Sequence, residues 1–347
     1  MKPAAITSTC VLCSGGRGTE QAWASTRAGV SRVGNSGVMD KHYEAIQMSL
    51  VPEDALPALP PEIDTLGLPS RARRLLRLAA PVLKAVAADA GDGPHTVFTG
   101  LPQLSPAEAP WLTSFHKLLG EFAGVQMNLA TSRVVPLGRA AALLALEAGL
   151  KALEQGEVPA VIVGGVDTFF DLKLLAELDS ENRILGPHVM DGFIPGEGAG
   201  FLVLKAQGQA AAGTSVLALG AASLPDPGHR YGTEPAKGEG LAKAMDQLRA
   251  TLGAPTAPVG TTFAGFNGEN FDAKLWGVAR LRHTDFFSPT MSMQHPASTI
   301  GDTGAAAGAI MSALAATALS QGHRAGPALV WAASDREARA CALIGKG

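Results

Sequence analysis

Cys10 and Cys13, spaced Cys-x-x-Cys, are the residues whose type and spacing most directly suggest chemistry, a reversible dithiol. Such a pair becomes reactive at a helix N-terminus, where the thiolate is stabilised. Here it runs along the strand-like stretch 4–10 into the turn Gly15-Gly16-Arg17-Gly18, so redox activity is not expected. His283 and His295 carry imidazoles that could serve as general bases. Each lies in a polar stretch and reads as an ordinary surface histidine. Arg71, Arg73, Arg74 and Arg77 recur at helical spacing. They could dock an acidic partner helix, but a plain solvated face is the expected reading. The run Gly301-Asp302-Thr303-Gly304-Ala305-Ala306-Ala307-Gly308 is a glycine loop that leads into small residues suited to close helix packing.

The elements that would position these residues follow from pattern. Strands are expected at 4–10, 96–99, 161–163 and 200–204, then at 215–220, 258–263, 328–333 and 340–345. Helices are expected at 71–88, 137–155, 236–252 and 303–320. Thr19 and Ser70 are candidate caps, and Pro81 should interrupt or kink the first long helix. Five prolines at 52, 57, 60, 61 and 69 mark 51–69 as an irregular surface connection. The helix at 137–155 is apolar nearly all round and should be buried. Alternating strands and helices predict α/β layers with largely parallel, doubly buried strands. The same order appears twice, with a small-residue linker at 206–214 between the two series.

Bulk properties exclude several classes. A net charge of −3 gives no overall nucleic-acid footprint. Three cysteines supply no disulfide framework, which suits a reducing, cytoplasmic setting. No apolar run reaches the roughly 18 residues of a membrane span, and no signal peptide is expected at the N-terminus. No pattern calls for a cofactor or a metal.

Three stretches resemble the β-ketoacyl synthases. The first is Val163-Gly164-Gly165-Val166-Asp167, then Arg183-Ile184-Leu185 and Asp191-Gly192-Phe193-Ile194-Pro195-Gly196-Glu197-Gly198-Ala199-Gly200. The second is the opening strand, glycine turn and Trp23-containing helix, ending in Arg27-Ala28-Gly29. The third is the 301–308 loop, similar to the family's Gly-His-Thr-x-Gly-Ala-Ala-Gly. The resemblance implies a thiolase fold, an α/β architecture of two pseudo-symmetric halves in five αβαβα layers, usually dimeric. The halves would be 1–205 and 214–347, packed as one unit. The chain looks some dozens of residues shorter than typical members, with the shortfall before residue 140.

The same resemblance implies that the catalytic residues are replaced. Counting back from Gly156 and Gly164 puts the nucleophilic cysteine on Arg139, whose guanidinium stays protonated. No Cys, Ser or Thr occupies 140–143. The loop histidine falls on Asp302, and a carboxylate cannot donate to a developing enolate. The other histidine, seven before Gly268 in Gly268-Glu269-Asn270-Phe271-Asp272, falls on Thr261. A family lysine–glutamate pair falls on Ala297 and Met311, and a glycine gate on Ser334-Asp335-Arg336-Glu337-Ala338. Arg139, Thr261 and Asp302 would thus be a vestigial site, with no catalytic residue expected. A lone charge at 139 or 302 would be buried without compensation, so the two are expected to pair.

The function expected is a non-catalytic, thiolase-fold binding or scaffolding partner. It would be accessory to type VI secretion effector loading or similar to a chain-length factor. Partners would be an active synthase subunit, a carrier protein, or a secretion effector or adaptor, with a homodimer also expected. The competing class is an acyl-transferring 3-oxoacyl-[acyl-carrier-protein] synthase with relocated catalytic residues.

Overall fold

Runs of valine, isoleucine, leucine and alanine become the strands of one continuous sheet, seen in a computed structural model that describes residues 1–104, 109–209, 216–252 and 257–347. The strands are β1 (Ala4–Cys13), β2 (Val97–Gly100), β3 (Arg133–Val135), β4 (Ala160–Thr168) and β5 (Glu197–Ala206). Then come β6 (Val216–Pro225), β7 (Val259–Phe263), β8 (Phe287–Gln294), β9 (Ala328–Ala333) and β10 (Ala338–Lys346). Their order is β8-β7-β9-β10-β6-β1-β5-β4-β2-β3. Read outward from the β1–β6 junction, the first series runs first, fifth, fourth, second, third, and the second series repeats it. The directions repeat too: in each series the first and fourth strands lie antiparallel to the fifth, and the second is parallel to the third and fourth. The series meet at Ala4↔Ala218 and Ala5↔Leu217.

The principal helices are α1 (Thr19–Arg27), α2 (Ser70–Ala90), α3 (Phe115–Ala123), α4 (Ala141–Glu154), α5 (Leu172–Ser180), α6 (Glu239–Thr251), α7 (Asn270–Arg282) and α8 (Ala307–Ser320). Alternation along the strands sorts the core into layers. Val161, Val163, Leu202 and Leu204 face inward with Val330, Ala342 and Ile344, and α4 and α8 fill that space. Ile162, Phe201 and Val203 face outward against α2 and α3, while Leu329, Trp331 and Leu343 pack on α6 and α7. The result is the five-layer αβαβα arrangement of the thiolase fold. α8 is alanine-rich, a strong helix former. Its buried face runs through every residue from Gly308 to Leu319, because small side chains let it approach both series of strands.

Several local expectations are corrected. α2 runs through Pro81 to Ala90 as one helix. Thr19 is the first residue of α1, behind an N-cap at Gly18, and Ser70 is likewise inside α2, where its hydroxyl donates to Asp171. The 51–69 connection holds the short helix Pro61–Asp64, and it buries Val51, Leu56 and Ile63 against α2. The hairpin Gly34–Met39 and Ala45–Met48, α3, α5, α7, β3 and β8 were not anticipated. β8 carries Pro289 and few branched residues, and β3 is only three residues long. Most of the 206–214 linker lies outside the described residues. No described helix is long and apolar enough to cross a membrane.

Candidate functional site

Each inner helix is led in by a short tight turn, Gly138–Ala140 before α4 and Gly304–Ala306 before α8. The equivalence of the two series therefore brings residue 139 and the 302 loop face to face. Gly304 has φ +52°, and a Cβ there would lie 2.1 Å from Asp167 Oδ2. A Cβ on Gly165 would lie 2.4 Å from the Ala305 carbonyl, so these glycines let β4 and the loop touch. Asp167 fixes the loop by accepting from the Ala305 N–H at 2.8 Å, and it pairs with Arg71 at 3.0 Å. The Asp191–Gly200 stretch anchors the other side: Asp302 N–H donates to the Ile194 carbonyl, and Gly196 N–H to the Asp302 carbonyl.

Arg139 and Asp302 pair directly, Nε to Oδ2 at 2.6 Å. Both are buried, at 6% and 3% exposure. Asp302 also accepts from Gly304 N–H and from Asn267 Nδ2. Arg139 reaches Asp335 at 2.7 Å and lies over the Phe193 ring at 5.1 Å. Burial works against its charge, but Asp302 and Asp335 hold its pKa well above the usual arginine value.

The pair is one corner of a larger network. Arg183 forms a bidentate contact with Glu269, at 2.9 and 2.8 Å, and donates to Asp335. Arg230 pairs with Glu269 at 3.0 Å. Tyr231 donates to Glu181 and accepts from Arg183 at the solvent edge. Burial would raise the Asp335 carboxyl, yet Arg139 and Arg183 hold it well below the usual range. Ser334 ties its segment to the start of the turn before α4, accepting from Ala140 N–H and donating to the Leu137 carbonyl. What remains beside Arg139, Asn267 and Asp302 is a cavity of about 20 Å³, with Ala297 and Met311 in its wall. That is room for about one water molecule.

Thr261 is not part of this cluster. It lies within β7, paired with Ser292 and Ala328, and its hydroxyl donates to the Ala325 carbonyl at 2.7 Å. The chain reaches the site only farther on, at Ala264 to Asn267. Asn267, Arg183, Glu269, Arg230 and Asp335 are the members that sequence reasoning did not assign to the site. The signals were present in the Arg183-Ile184-Leu185 and Gly268-Glu269 motifs and in the charged replacement of the glycine gate.

The other candidates resolve differently. Cys10 and Cys13, three apart on β1, pack on opposite faces of the sheet, and burial pushes the Cys13 thiol up to about 11. His283 is buried rather than at the surface, with Nε2 on the Ala242 carbonyl, whereas His295 is exposed. Of the arginines of α2 only Arg73 is exposed. Arg71 is buried on Asp167, Arg74 forms a bidentate contact with Glu197, Arg77 bonds Glu53, and Arg73 pairs with Asp64.

Residues 138–210 match the family model described as Beta-ketoacyl synthase, N-terminal domain. The fold matches a ketosynthase from module 6 of the bacillaene synthase of Bacillus subtilis 168 at TM-score 0.80 and 16% identity, over 100% of this chain and 72% of that one. The chain has the ketosynthase fold. A similar match is the ishigamide ketosynthase/chain length factor, at TM-score 0.81 and 17% identity over 100% and 99% of the two chains. Another is the ketosynthase ApeO in complex with its chain length factor ApeC from Xenorhabdus doucetiae, at 0.79 and 16% over 100% and 98%. No curated protein matches the sequence. In this ketosynthase-like chain, the position that the resemblance gives to the nucleophile holds an arginine, ion-paired to the residue in the histidine position.

Proposed function

We propose that this ketosynthase-like chain is a non-catalytic binding or scaffolding partner whose former substrate site is closed by an internal ion pair. The Arg139–Asp302 contact carries the reading, because it occupies the position a thiolate and its acyl group would need. The residual volume of about 20 Å³ leaves no space for an acyl chain. Relocated catalysis by a cysteine has little support, since burial pushes the Cys13 and Cys341 thiols up and a nucleophile needs the thiolate.

Two partner classes fit. A chain-length-factor-like role beside an active synthase subunit is favoured by the similarity to a ketosynthase solved with its chain length factor. An accessory role in type VI effector loading is the second. Co-expression with a ketosynthase subunit, and separately with a secretion adaptor, distinguishes them by which one co-purifies. A docking site for an acidic carrier helix on α2 is disfavoured, since Arg71 and Arg74 already have buried carboxylate partners. Incubated with acyl carrier thioesters, the protein should show no mass increase by intact mass spectrometry. A stoichiometric acyl adduct would overturn the pseudoenzyme reading.

A further inference from the structure

The turn of the hairpin Gly34–Met39 and Ala45–Met48 meets the tip of the strap 183–193, and each brings a histidine to the contact. His42 and His188 are both exposed, and their rings stand with centroids 4.5 Å apart at an angle of 42°. Neither ring makes a hydrogen bond among the described residues, and neither is held there by burial. The backbones that carry them are fixed. Asp40 Oδ1 accepts from the N–H groups of His42 and Glu44 at 2.8 Å each, and Tyr43 takes φ +62° to close the turn. Lys41 pins that turn to the end of α5: its N–H donates to Asp179 Oδ2, and its Nζ to the Asp179 carbonyl and Asn182 Oδ1. On the strap, Gly186 and Val189 exchange N–H bonds around His188. Below them Leu185 N–H donates to the Phe193 carbonyl and Phe193 N–H to the Arg183 carbonyl.

Two imidazoles from separate segments, held together in water, match what a metal ion requires. With metal–nitrogen bonds of about 2.1 Å, two imidazoles in adjacent positions on one ion have ring centroids about 4.5–5 Å apart. A carboxylate lies beside them. The Glu44 N–H is the main cause that lowers the Asp40 carboxyl, against desolvation, and the His42 N–H and the charges of His42 and His188 add to it. Asp40 Oδ2 accepts no hydrogen bond among the described residues. We propose that His42 and His188 together bind one divalent transition-metal ion of the class that prefers imidazole, Zn²⁺, Ni²⁺ or Cu²⁺, beside the Asp40 carboxylate, and that the ion clamps the hairpin to the strap. No three His, Cys, Asp or Glu side chains already stand in ligating positions among the described residues, so the protein supplies two ligands and water fills the other positions. Each imidazole must be neutral to ligate, so binding weakens in acid. The base of the clamped strap carries Arg183, which holds Glu269, and Phe193, whose ring lies beneath Arg139. The metal site itself does not depend on the closed-site reading.

Calorimetric titration of tag-free, chelator-treated protein with Zn²⁺ and with Ni²⁺ tests this, read with hydrogen exchange of 40–44 and 186–189. The wild type should bind one ion per chain and gain protection in both segments. His42→Ala and His188→Ala should each weaken binding at least about tenfold, since losing a ligand costs no less than losing an outer-shell partner. Both histidines are exposed, so both variants should fold. His295→Ala, at an exposed histidine elsewhere, should bind as the wild type does. No binding, binding unchanged by either substitution, or a loss in only one of the two variants overturns the two-histidine site. Binding without the gain in protection overturns the clamp.

Discussion

Arg139→Ala should destabilise the protein by about 3–5 kcal/mol, the range for breaking a buried ion pair. The variant leaves Asp302 at 3% exposure without its cation and takes one cation from Asp335. Asp302→Ala should cost a comparable amount, because Arg139 stays buried and Asn267 and Gly304 N–H lose their acceptor. Removing both residues leaves neither charge stranded in that contact, so the double variant should lose much less than the sum. Urea denaturation of the four proteins measures the coupling. Additive losses would mean that Asp335 and solvent, rather than Asp302, balance Arg139.

Asp167→Ala is expected to cost a similar amount, about 3–5 kcal/mol, for a related reason. Arg71 is 7% exposed, and its guanidinium has Asp167 as its anion. The same carboxylate accepts from the Ala305 N–H and the Thr168 N–H, so it joins α2, β4 and the 302 loop. Asp167→Asn keeps an acceptor for the Ala305 N–H and should recover part of the loss while still stranding Arg71. Thermal and urea unfolding of both variants check this. A loss below about 1 kcal/mol for Asp167→Ala would show that Arg71 escapes to water, as an exposed pair would allow.

Much of the site could be read from local patterns. The Asp191–Gly200 run, the Gly301–Gly308 loop and the replacements at 139 and 302 are contiguous signals, and each is fixed by the spacing of residues within one turn. Thr261 failed because counting from Gly268 assumes that the loop after β7 has a fixed length. Thr261 lies within β7, three residues before Ala264, the first residue of that stretch to line the site. The arginines of α2 failed for a different reason. Spacing says which residues share a helix face, not what lies opposite, and here the opposite face holds Asp167, Glu197 and Glu53.

The sequence by itself determined the layered α/β class, the buried character of α4 and α8, and the absence of a nucleophile at the start of α4. Each follows from periodicity or residue type, which act over a few positions. Tertiary structure alone decided that Arg183, Arg230, Glu269 and Asp335 join the Arg139–Asp302 pair. Those residues come from segments up to about two hundred positions apart, brought together by the strand order. Burial and charge balance are properties of the assembled site: the Asp272 carboxyl is raised by burial and by the nearby Glu269, Asp335 and Asp302, with Arg139 opposing.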